Sequence, residues 1–124
     1  MSARAKRNLI LIVEDDAESR DTMRLLLELA GYDVETASDG TEALAVLRGG
    51  LRPRLILLDL MMPGMDGFQF VNEKRQDPRL SRIPVIVYSG LYDAQANAAR
   101  LGARAYIQKP FDADSFLNLV RSNC

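Results

Sequence analysis

The chain has 124 residues, 48% of them apolar, with 16 Lys and Arg against 17 Asp and Glu. That size and content suit one domain with a real core and exclude a disordered chain. A net charge of −1 gives no electrostatic basis for holding nucleic acid or an acidic membrane surface. There is no His to act as base, metal ligand or phosphate carrier, and the single Cys, Cys124, permits no internal disulfide, which suits a reducing cytosol. No apolar run approaches the roughly 20 residues of a membrane span. Met1–Asn8 is basic and polar, and the short apolar run after it cannot form a signal-peptide core. Residues 1–8 are therefore expected to be a tail and 9–122 the folded domain.

Leu9–Val13 is a short continuous apolar run, the pattern of a strand covered on both faces. Met23, Leu26, Leu27 and Ala30 follow at helical spacing, and Gly31 stops that helix. Asp33–Ala37 is a weaker strand. Asp39 and Glu42 form a capping-box pattern ahead of Ala43, Leu44 and Leu47, with Gly49 and Gly50 as the stop. Leu55–Leu58 is the third strand. Beyond a Pro/Gly loop, Phe70, Val71 and Lys74 fit a short third helix. Pro84 announces a fourth strand, Val85–Tyr88. Asp93 is the expected N-cap of a helix carrying Ala94, Ala98 and Leu101, which Gly102 ends. Ala103–Ile107 reads as strand five. Ala113, Phe116, Leu117 and Val120 make an amphipathic helix capped by Asp112.

Five strand–helix units in alternation predict an α/β fold, a parallel sheet with helices on both faces. Ligands of such open sheets bind beyond the carboxyl ends of the strands. Glu14 and Asp15 end the first apolar run and Asp59 the third, while Ser89 and Lys109 stand at or just after the fourth and fifth. Two strand ends thus bring three carboxylates to one rim, which suggests a divalent-metal site with one carboxylate free for chemistry. Asp16, the next acid, is expected to N-cap the first helix.

The segments Val13-Glu14-Asp15-Asp16, Asp59 to Gly67 (DLMMPGMDG), Ser89-Gly90 and Lys109-Pro110-Phe111 together resemble the receiver domain of two-component response regulators, over nearly the whole chain. Each piece alone is weak; their order and their places at strands one, three, four and five are specific. The resemblance implies a three-layer (βα)5 flavodoxin-like, doubly wound sheet of strand order 2-1-3-4-5. It implies that Asp59 is the phosphoacceptor, that Glu14, Asp15, Asp59 and the backbone carbonyl of Met61 hold Mg2+, and that Lys109 and Ser89 contact the phosphoryl group. It also implies a cis Lys109-Pro110 bond and a Ser89–Tyr106 switch, in which Ser89 is drawn inward and Tyr106 turns from exposed to buried. The expected donor is a sensor histidine kinase or a histidine phosphotransfer protein, and acetyl phosphate should also serve. The output surface is expected on helix four, strand five and helix five. The implied protein is cytoplasmic, a signalling phosphoacceptor rather than an enzyme, and a monomer or weak dimer. It binds neither nucleic acid directly nor a membrane.

Met61 and Leu91, two residues beyond Asp59 and Ser89, are apolar and suggest restricted water attack and a long-lived phosphorylated state. Met61, Met62 and Met65 are read as loop packing rather than a soft-metal site. Ala103-Arg104-Ala105-Tyr106 lacks the acids that winged-helix regulators often carry before this aromatic, so a charge-paired dimer of their type is not expected. No further domain follows Asn123-Cys124, so the chain is expected either to act alone or to be a receiver cut from a longer regulator or hybrid kinase. A dehalogenase-like phosphatase would want an acid where Met61 stands. A flavodoxin-like cofactor binder would want a Ser/Thr/Gly cradle in place of Glu14-Asp15-Asp16, and a phosphate-loop nucleotide binder has no matching Gly-Lys run. The remaining alternative is a receiver-shaped interaction module that is never phosphorylated.

Overall fold

The structure is a computed structural model that describes residues 8–60, 67–89, 94–109 and 111–124, with the backbone alone at positions 89 and 94. The elements run β1 (Leu9–Val13), α1 (Ala17–Leu29), β2 (Asp33–Ala37), α2 (Gly40–Arg48), β3 (Leu55–Asp59), α3 (Gly67–Gln76), β4 (Val85–Ser89), α4 (Ala94–Leu101), β5 (Ala105–Gln108) and α5 (Ala113–Asn123). All strand pairs are parallel, in the order β2-β1-β3-β4-β5, which is the expected doubly wound order. The reversal point falls between β1 and β3, so Glu14 and Asp59 flank the crevice it opens.

Every residue of β1 and β3 is buried, as continuous apolar runs between two helix layers should be. Side-chain alternation divides the core. Leu11, Val13, Ile56, Leu58 and Val87 pack against α2, α3 and α4. Ile10, Ile12, Leu57, Ile86 and Tyr88 pack against α1 and α5 through Met23, Leu27, Phe116 and Val120.

Local chemistry sets the ends. Asp16, Asp39 and Asp112 N-cap α1, α2 and α5, accepting from the N–H groups of Ser19, Glu42 and Ser115. Only half of the capping box at α2 forms, because the Glu42 carboxylate accepts from the Ser38 hydroxyl instead. Gly31 takes φ +98 just past α1, where a side chain would be strained. Strand β5 begins at Ala105, two residues later than the apolar pattern suggests. The N–H of Ala103 still closes the end of α4 on the Ala98 carbonyl, around Gly102 at φ +68. Strands β3 and β4 each run one residue further than the pattern, because Asp59 pairs with Tyr88 and Ser89 with Gln108. Asp93, Gly90, Leu91, Pro110 and the Met61–Asp66 loop lie outside the described residues, as does the side chain of Ser89. No helix among the described residues is long and apolar enough to cross a membrane.

Two predictions arise here. The Asp112 carboxyl is held below the ordinary carboxylate range by the Ser115 side chain and N–H. Its capping contribution is then present above the unfolded pKa and fades as pH falls through the lower folded one. Asp112→Ala is expected to lower the thermal midpoint at neutral pH, and the gap from wild type should narrow in acid. Melting curves across that window test this, and a gap independent of pH would contradict it. Gly67 opens α3 against the end of β3. A Cβ there would stand 2.8 Å from Leu60 Cα and 3.0 Å from the Asp59 carbonyl, both backbone atoms with no rotamer to yield. Gly67→Ala should cost about 2 kcal/mol in urea unfolding through overpacking. A loss within error of zero would mean the β3–α3 junction can open freely.

Candidate functional site

The pleat sends Glu14, Asp59 and Tyr88 to the α1/α5 face at the carboxyl rim, in line with Ile12, Leu57 and Ile86 below them. Glu14 is only 1% exposed. Its N–H donates to the Ala37 carbonyl at 3.0 Å, continuing the β1–β2 ladder one residue past the strand. Its Oε2 accepts from the Asp16 N–H at 3.0 Å, and its carbonyl accepts from Arg20 Nη1 at 2.9 Å. A carboxylate this buried and this tied is held in place before any ligand arrives.

Asp15 is exposed. Its carboxyl is pushed above the ordinary range by partial burial and by the adjoining Glu14 side chain. Asp59 ends β3 and is 6% exposed. Lys109 reaches across from the end of β5, its Nζ donating to Glu14 Oε1 at 3.3 Å and to Asp59 Oδ2 at 3.4 Å. Among the described residues, Glu14, Asp15 and Asp59 each bring a carboxylate oxygen within 4.8 Å of the others. Three carboxylates with one lysine leave an excess of negative charge. An all-oxygen donor set fits a hard divalent cation such as Mg2+, which prefers oxygen ligands and keeps several waters.

In the sequence Tyr88 is simply the last residue of the fourth apolar run. It is fully buried, its hydroxyl donates to the Val13 carbonyl at 3.2 Å, and its ring lies 4.8 Å from Lys109 Nζ. Phe111 meets its edge and stacks on Phe116. Burial first, then the Glu14 and Asp59 charges, raise the phenol well above its usual pKa, so Tyr88 stays neutral. It acts as a floor that fixes the height of the Lys109 ammonium through a cation–π contact and ties that floor to the end of β1. Its place opposite Asp59 comes from the β3–β4 register, which no local sequence signal carries.

The structure thus brings Glu14, Asp15, Asp59 and Lys109 together. Asp16 is the α1 cap, as expected. Tyr106 pairs with Val87 in the ladder and is 38% exposed. The Met61 carbonyl and the Ser89 hydroxyl fall outside the described residues.

A family model described as the response regulator receiver domain matches residues 10–121. The chain is 43% identical over 117 residues to the DNA-binding dual master transcriptional regulator RpaA of Synechocystis, a match covering 91% of this chain and 47% of that regulator. The chain therefore spans about half the length of that relative. The receiver domain of a signal transduction histidine kinase from Syntrophus aciditrophicus superposes with a TM-score of 0.84 at 33% identity, over 93% of this chain and 88% of that one. The response regulator TrrA of Thermotoga maritima, solved in complex with Mg(2+)-BeF, superposes with a TM-score of 0.83 at 26% identity, over 94% of this chain and 99% of that one. With its doubly wound sheet, its acids at the switch point and a family match across nearly its whole length, the chain belongs to the response regulator receiver domains.

Proposed function

We propose that this domain takes a phosphoryl group onto Asp59 from the phosphohistidine of a sensor kinase or histidine phosphotransfer protein. The observation that carries this reading is the geometry of Asp59: a nearly buried carboxylate at a strand end, clustered with two more acids and contacted by one lysine. An Asp59 oxygen bonds to phosphorus as the donor's phosphorus–nitrogen bond breaks. The electron pair leaves with the imidazole nitrogen, and an acyl phosphate remains on Asp59. Such transfer demands positioning and charge neutralisation more than covalent assistance.

Glu14, Asp15, Asp59 and the Met61 carbonyl would hold Mg2+, which supplies positive charge between two anionic reactants. Glu14 is fixed by its bonds to Asp16, Arg20 and Lys109. Lys109 sits within reach of any oxygen added to Asp59 and would pair with the phosphoryl group. Ser89 would donate its hydroxyl to that group, and Tyr106 would turn inward as Ser89 moves, shifting the population of the α4–β5–α5 face that an output partner reads. The product stays on the chain, so the domain is a signalling phosphoacceptor rather than an enzyme with a released product. Its place is the cytoplasm, beside the kinase.

Incubation with acetyl phosphate and Mg2+ should add one phosphoryl group by intact mass, and EDTA should prevent it. Hydroxylamine should release the group and leave a hydroxamate, which peptide mapping should locate at Asp59. No mass gain, with no Mg2+ binding, would make the domain an unphosphorylated interaction module and Asp59 a structural residue.

A further inference from the structure

At the rim opposite Asp59, the end of α3, the start of β4 and the end of α4 line a half-open cavity of about 300 Å³. Its wall carries the buried Lys74 and, at its exposed mouth, Arg75, Arg82 and Arg104, with no acidic residue. In a chain of net charge −1, four cations around one cavity is a marked segregation. No ion pair joins any of them to a carboxylate among the described residues.

Lys74 is 6% exposed. Its Nζ donates to the Ser81 carbonyl at 3.3 Å, a long bond, and to nothing else among the described residues, although an ammonium has three protons to place. Burial and the neighbouring Arg75 charge lower its pKa. Arg75 Nη2 donates to the Leu101 carbonyl at 2.9 Å and Arg104 Nη1 to the Asn123 carbonyl at 3.4 Å, each using one of five donors. Helix ends attract such cations, and Lys74 and Arg75 both stand in the last turn of α3, which accounts for a positive charge there. It does not account for a lysine buried where Leu or Met would pack without desolvation cost.

We propose that this cavity binds the phosphate group of a small molecule, with Lys74 at its base and Arg75, Arg82 and Arg104 around it. A single carboxylate would engage one guanidinium, whereas a phosphate dianion can accept from several donors at once. The volume suits a small molecule, and Val71 and Leu101 in the wall offer contact to an apolar substituent.

The test is amide-shift titration of the isotope-labelled chain in Mg2+-free buffer at constant ionic strength, with inorganic phosphate and with phenyl phosphate. Saturable shifts are expected at Ser81, Ile83, Gly102 and Arg104. Lys74→Met should weaken binding about tenfold or more, since a charge-assisted bond is lost, and Arg82→Ala should weaken it less. Lys74→Met should remain folded by circular dichroism, because Met fills a buried site without its charge. Tighter binding of phenyl phosphate would assign the site to esters and equal binding to the free ion; either supports it. Shifts that do not saturate, that gather at Asp59 and Lys109, or that persist unchanged in both variants would overturn it.

Discussion

Asp59→Asn is expected to take up no phosphoryl group under conditions that fully modify the wild type, and to be the more stable protein in Mg2+-free buffer. The first effect follows from chemistry, since an amide cannot supply the nucleophilic oxygen. The second follows from the charges around it. With an effective dielectric of about 20, two like charges within 4.8 Å repel Asp59 by roughly 3.5 kcal/mol each, against roughly 5 kcal/mol of attraction to Lys109 at 3.4 Å. Exposure of Asp15 weakens its share, while the desolvation of a nearly buried carboxylate adds to the unfavourable side. The near-isosteric amide, which removes the repulsion from both acids, should therefore be the more stable side chain here without metal. Mg2+ should raise the unfolding midpoint of the wild type by mass action and raise that of the variant much less. Urea unfolding with and without Mg2+ measures both. A variant less stable than wild type without metal would show that Lys109 outweighs the acid repulsion. Residual modification of the variant would move the phosphoacceptor elsewhere.

In a parallel sheet all carboxyl strand ends share a rim, so acids after Val13 and Leu58 had to converge whatever their side chains did. The continuous runs Leu9–Val13 and Leu55–Leu58 have the pattern of strands covered on both faces, and they are buried throughout. Asp16, Asp39 and Asp112 announce helix starts because a short carboxylate reaches the N–H three residues on.

Contacts that depend on register were not readable. That Tyr88 stands opposite Asp59 and under Lys109 needs the β3–β4 and β4–β5 pairings. Helical spacing put Lys74 with Phe70 and Val71, yet it could not reveal that the wall facing Lys74 holds arginines and no acid. The start of β5 is hidden from the sequence for a different, local reason. Ala103 is apolar and precedes a strand, but its N–H is committed to the preceding helix.

Lys109→Met is expected to lose about 3 kcal/mol of stability without Mg2+, the lower part of the range for breaking a buried ion pair. The lysine side chain is 33% exposed, whereas its partners Glu14 and Asp59 are 1% and 8% exposed, so the cost falls chiefly on the acids left behind. Met keeps the reach of the chain and its cover over Tyr88, so packing changes little and the loss reports charge. A divalent cation replaces the missing charge, but Mg2+ stabilises the wild type by mass action as well, so the deficit narrows only as far as the variant binds the ion more tightly, by about 1.4 kcal/mol for each tenfold difference in Kd. A clear narrowing is expected in saturating Mg2+. The variant's affinity for Mg2+ should also exceed the wild type's, because no ammonium competes for Glu14 and Asp59. Urea midpoints and Mg2+ titrations of the two proteins decide the matter. An equal deficit with and without Mg2+ would mean that Lys109 stabilises by packing on Tyr88, and that the three carboxylates do not act as one ion site.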